Sequence, residues 1–300
     1  MKSLIEATEY TKKKKKHQLI KLKKSHLEEP FEDLKLYLEG EKHLTTVSSN
    51  FNYLADWNLW HFISDFINEH KITNKYLSLS TYWAMQSSNW DLALGQISNS
   101  YKSAIPFDRS IMHLGQLLYL GWCNEAEKYG NLLLKMLYGK QYNGWIAKPL
   151  YAWFVIELFC KWQKIELDKT KLKHPDHLGI YEEALANWDT TDQQKLNDIV
   201  DKLSIFHIAQ CDEDVATDED GNEFSPEFTS SDYFIFPVEI LAWLAIRKVL
   251  GLPTYNGLDE LMKLKINQLP SMTIEIPQQD LVSQCKHKLI EDNPHLALDL

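Results

Sequence analysis

The chain has 300 residues and a mass of 35.1 kDa, enough for one large domain or two small ones around a sizeable core. Hydrophobic residues make up 44% and charged residues 25%, which excludes a collagen-like chain, a disulfide miniprotein and wholesale disorder. No apolar run approaches the roughly 20 residues of a membrane span, and a lysine run stands where a secretory leader would carry its apolar stretch. Cys123, Cys160, Cys211 and Cys285 are far apart with no CxxC pair. They read as reduced thiols of a cytoplasmic protein, with neither a disulfide framework nor a zinc cage.

The net charge of −10 is unevenly placed. Residues 1–24 hold nine lysines against Glu6 and Glu9, or +7, leaving 23 basic against 40 acidic residues, or −17, for the remainder. Such a body repels nucleic acid and membrane surfaces and attracts a basic protein. Lys12–Lys16, with Lys21, Lys23 and Lys24, has no arginine or interleaved aromatic residue. It is expected to be a solvated helix, docked only through Leu19, Ile20 and Leu22 and dispensable for the fold. Residues 25–300 are then one helical domain, any subdivision falling near 170–178.

In chain order, apolar residues recur at helical spacing from Phe31 to His70, most clearly from Leu59 to Ile67. Two antiparallel hairpins are expected next. Tyr76–Gln86 and Trp90–Tyr101 flank Ser88-Asn89, with Ser88 and Asp91 at capping-box spacing; Ser110–Leu120 and Asn124–Tyr138 flank Gly121-Trp122. Trp90 and Trp122 lie 32 residues apart, near the length of a helix-pair repeat. Trp145–Trp162 is apolar nearly all round, the pattern of a buried central helix, with regular structure beginning near Pro149. Tyr181–Trp188 and Asp192–Gln210 follow, the latter with a cap at Thr190. Pro237 opens a helix over Val238–Leu250 that Gly251 closes. Leu258–Leu264 and Asp280–Ile290 are expected as short helices, and Thr273–Ile276 as a strand. The fold class is all-α: an array of antiparallel helical hairpins, repeat-like in part, with at most one short strand pair.

Cys211–Asp232 breaks this regularity with a dense run of acids. Asp212, Glu213, Asp214, Asp218, Glu219, Asp220 and Glu223 fall within 12 residues, with no lysine or arginine among them. A loop that polar is exposed, and exposed loops commonly carry binding residues. These seven are therefore the candidate partner-binding residues. A calcium loop is not expected: with Gly221 at the turn, Ala216 stands at the first ligand position and Pro226 in the exit helix. His174-Pro-Asp-His177 lacks the spacing of a zinc site. His207, on the apolar face of its helix, reads as a core histidine. No GxSxG, GxGxxG or phosphate-cradling glycine loop occurs, so no catalytic residue, metal or cofactor is assigned and enzymatic activity is not expected.

Leu203-Ser-Ile-Phe-His207, the acidic break, and then Asp232-Tyr-Phe-Ile-Phe-Pro-Val-Glu-Ile-Leu-Ala-Trp-Leu-Ala-Ile-Arg247 with Gly251-Leu252 resemble helical immunity proteins of bacterial polymorphic-toxin systems. The immunity protein 49 family is the nearer resemblance and the PoNe-immunity family the second. It covers roughly residues 150–270; the lysine-rich residues 1–24 depart from the pattern. The resemblance implies a cytoplasmic, non-enzymatic protein that binds and neutralises a cognate toxin, protecting the producing cell and its kin. A toxin with a basic active-site surface would suit the acidic body. Two rivals are a helical-repeat scaffold holding a protein or peptide in a groove, and an all-α enzyme whose pocket gathers distant residues.

Overall fold

The computed structural model describes residues 3–142, 146–214, 216–217 and 223–296, with the backbone alone at 216–217 and 223–224. The described residues form an all-helical array: α1 (Leu4–Lys21), α2 (Glu29–Glu39), α3 (Val47–Glu69), α4 (Asn74–Ile97), α5 (Phe107–Tyr119), α6 (Cys123–Tyr138), α7 (Leu150–Gln163), α8 (Tyr181–Ala186), α9 (Gln193–Ala209), α10 (Val238–Val249) and α11 (Asp280–Asp292). One antiparallel pair, β1 (Ala216–Thr217) and β2 (Glu223–Phe224), lies inside the acidic segment. No helix among the described residues is long and apolar enough to cross a membrane.

The near-continuous apolar surround of α7 demands partners on several sides, and α5, α6, α8 and α10 supply them. Trp153, Phe154, Val155, Ile156, Leu158 and Phe159 are all buried. The Trp153 indole N–H donates to the Ile146 carbonyl at 2.7 Å, so its one polar atom is satisfied inside the core. α6 crosses α7 closely because Gly130 has no side chain: a Cβ there would meet the Phe159 ring at 2.3 Å. A second core joins α2, α3, α4 and α11, with Trp83 and Trp90 packed on Phe51.

Several expected boundaries are corrected. The Tyr76–Tyr101 stretch is not a hairpin but the single 24-residue helix α4, running straight through Ser88-Asn89. Ser88 is buried and its hydroxyl bonds the Tyr129 hydroxyl at 2.8 Å. The Asp91 carboxylate, rather than completing a capping box, accepts from the Tyr101 and Ser103 hydroxyls and the Ala104 amide. Small polar side chains read as a turn thus serve a close helix contact, in which Ser87 and Ser48 also bond across α3 and α4. The cap of α9 is Asp192, whose carboxylate accepts from the Lys195 amide at 3.1 Å, and not Thr190. Leu258–Leu264 forms turns without a helix. Thr273–Ile276 belongs to no strand; Trp122 and the Leu120 carbonyl hold it through Ile274.

The lysine-rich N-terminus also differs from expectation. Ser3 caps α1 in a capping box with Glu6. The buried face is Ala7, Thr11 and Lys15, at spacing four, while Leu19 and Leu22 are half-buried and Ile20 is exposed. α1 packs along α3, so the segment is an integral helix.

Candidate partner-binding face

The acidic segment leaves α9 at Cys211 and returns at Phe228, where the backbone closes on itself. The Asp212 amide donates to the Phe228 carbonyl at 3.0 Å, and the Phe228 amide to the Gln210 carbonyl at 3.1 Å. Phe228 fixes this closure in the core: its ring stacks on Tyr151 at 5.0 Å and leans on His207 at 4.0 Å. Within the segment, β1 and β2 pair antiparallel, Ala216 opposite Phe224 and Thr217 opposite Glu223.

Glu213 ties the outgoing strand to α1. Its carboxylate accepts from the Tyr10 hydroxyl at 2.8 Å, from the Lys14 ammonium and from the Ser231 amide at 3.3 Å. Burial opposes the charge, but these donors outweigh it and hold the Glu213 carboxyl below its ordinary range. Burial, reinforced by Glu213, pushes the Tyr10 hydroxyl up to about 12. Glu227 ties the returning strand to the central helix, accepting from the Leu150 amide at 2.7 Å and the Tyr151 amide at 3.2 Å. A carboxylate there meets both the unpaired N–H groups and the positive end of α7. Beside it lies a cleft of about 290 Å³ walled by Asp108, Lys148, Ser225, Glu227 and Thr229.

Beneath the loop, a buried ionic cluster joins α1, α3, α5 and the segment after the loop. Lys15 pairs with Asp232 and donates to the Ser231 hydroxyl at 3.2 Å. Arg109 bridges Asp232, at 3.0 Å, and Asp56, with its guanidinium over the Tyr233 ring at 5.4 Å. Two cations face two anions, so each charge taken from water has a counter-charge. In Asp232 the ion pairs with Lys15 and Arg109 overcome burial and hold the carboxyl well below the usual carboxylate range.

Of the seven sequence-predicted binding residues, Asp212 is half-buried at the loop root, where it accepts from the Asp214 amide at 3.3 Å; Asp214 is exposed, and Glu213 is the structural tie just described. Asp218, Glu219 and Asp220 lie outside the described residues, as does the side chain of Glu223, whose backbone is in β2. Sequence reasoning missed Lys15, Asp56, Arg109 and Glu227. The signal for Lys15 was available: it continues the Ala7–Thr11 spacing of one helix face.

The other candidate groups are held in structural bonds. His207 is buried, with Nδ1 2.7 Å from Glu239 and Nε2 3.0 Å from the Tyr233 carbonyl. The Tyr233 carbonyl can only accept, so Nε2 carries a proton, and Nδ1 faces the Glu239 carboxyl. Burial opposes a charge on the ring, but Glu239 foremost holds the His207 pKa well above its ordinary value. His174 bonds Glu157 at 2.7 Å, whereas the His177 side chain is 87% exposed. Among the described residues, no three His, Cys, Asp or Glu side chains converge as a metal site. Burial pushes the Cys160 and Cys285 thiols up to about 12, which makes them poor nucleophiles. Comparison with protein-family models, with curated proteins and with solved structures finds no match to this chain.

Proposed function

We propose that this chain is an immunity protein that binds and neutralises a cognate toxin in the cytoplasm, and that the 212–223 loop meets a basic surface of that toxin. The observation that carries this reading is the anchoring of the loop. Seven acids within 12 residues repel one another, and a loop serving only solubility needs no fixed root. This one is closed by backbone bonds at Cys211–Phe228, tied to α1 through Glu213 and tied to α7 through Glu227. A fixed root holds Asp214 at the edge of the loop, which supports a reduced ordering entropy of binding there. Glu213 is an anchor; Asp212, Asp214, Asp218, Glu219, Asp220 and Glu223 carry the contact. The −17 charge outside residues 1–24 would steer a basic partner toward the same molecule.

The test is co-expression with the toxin encoded beside this chain, scored by growth. The wild-type chain is expected to restore growth. Replacing Asp218, Glu219 and Asp220 by lysine should leave the far-ultraviolet circular dichroism unchanged, slow association with the toxin by about tenfold or more at low salt and flatten its salt dependence. Failure of the wild-type chain to rescue growth would overturn the immunity reading. Rescue with unchanged association rates in the triple variant would remove the loop from the interface.

A further inference from the structure

A second hollow has the opposite charge. About 400 Å³ of space opens between the end of α6 and the segment after α7, lined by Lys102, Lys140, Lys171 and Lys173 over a floor that includes Leu137, Tyr142 and Leu172. None of its described lining residues is acidic, in a chain whose net charge is −10. Lys171 shares its charge with Asp168, at 2.8 Å on the exposed rim. Lys102 donates to the Lys140 carbonyl, a neutral partner, and Lys140 and Lys173 pair with no carboxylate among the described residues. A lysine beyond a helix C-terminus is favoured by the helix dipole, which accounts for Lys140 near the end of α6. It does not account for Lys102 or Lys173, which come from other segments. Lys140 also holds φ at +54°, a left-handed conformation that glycine or asparagine adopts at lower cost. Three uncompensated ammonium groups around one concavity repel one another unless an anion joins them.

We propose that this hollow is a binding site for a small phosphomonoester-type anion: the lysines take the dianionic head and the Leu137–Tyr142–Leu172 floor takes an apolar body. The volume falls within the range of small-molecule pockets, and a mostly apolar wall with a few convergent polar groups is their usual chemistry. Lysine recognises phosphate as a point charge, without the planar fork of arginine, so the site selects for charge and body more than for head geometry. The proposal does not depend on the toxin-binding reading.

The probes are phenyl phosphate, inorganic phosphate and phenol, titrated by calorimetry into the full chain at low ionic strength. Phenyl phosphate is expected to saturate one site and to bind more tightly than inorganic phosphate, with phenol showing no saturable heat. The Lys140→Glu/Lys173→Glu variant should weaken phenyl phosphate by about tenfold or more. Lys12→Glu/Lys13→Glu, on the exposed face of α1, removes the same charge away from the hollow and should leave affinity unchanged. All four lysines are exposed, so both variants keep the fold. Three results would each overturn the proposal: no saturation by phenyl phosphate, inorganic phosphate binding as tightly, or equal weakening by the α1 variant.

Discussion

Removing the Lys15 ammonium leaves Asp232 facing Arg109 alone in a site closed to water, and Arg109 must still serve Asp56. An uncompensated buried charge destabilises strongly, so Lys15→Ala is expected to cost on the order of 3 kcal/mol by urea unfolding. Alanine replacement of its exposed neighbours Lys12 and Lys13 should change stability by less than about 0.5 kcal/mol. Equal effects at the three positions would show that the ion pair contributes nothing specific. His207 sets a pH dependence of known sign. Its pKa is raised above the ordinary 6.5, so the folded state holds its proton more tightly than the unfolded chain. That stabilisation is complete below about pH 6.5 and is lost as pH rises through the higher folded pKa. Between those limits the unfolding free energy should fall with rising pH in the wild type. His207→Gln, which has no proton to lose there, should flatten that limb; an unchanged slope would mean the His207–Glu239 pair is not ionised in the fold.

The α1 helix carries the clearest consequence at the level of elements. Deleting residues 1–16 removes Tyr10, Lys14 and Lys15 together, which cuts the tie of Glu213 to α1 and leaves it the Ser231 amide, unpairs part of the buried cluster and uncovers the α3 face under Ala7 and Thr11. The thermal midpoint is expected to fall on the order of 10 °C by scanning calorimetry; a midpoint within a degree of wild type would restore the reading of a dispensable segment. Both this helix and α4 were misread for one physical reason. Charge runs and Ser-Asn pairs are local signals, whereas the burial of Lys15 and Ser88 depends on Asp232 and Tyr129, 217 and 41 residues further along the chain. Elements whose fate is decided by their own composition were legible: the apolar surround of α7, the Pro237 start and Gly251 stop of α10 (Gly251 has φ +67°), and the period of α3.

For the molecule as a whole, the acidic segment could be read from the sequence as a place, because a run of like charges is excluded from a core by solvation alone. Its internal division could not. Which acid points outward, which ties the loop to α1 and which caps α7 depends on where Tyr10, Lys14 and Leu150 arrive after folding. The basic N-terminus and the acidic loop, distant in sequence, are neighbours, so the chain itself supplies part of the counter-charge that the acidic run requires. Glu227 gives that arrangement a mechanical side. The same carboxylate oxygen that ends the loop's return path holds the first two amides of the helix at the centre of the core. A load applied to the loop is therefore borne by the most deeply packed element rather than by a frayed edge. The Leu150 and Tyr151 amide protons become a strain gauge, whose exchange with solvent registers how hard the loop is being held.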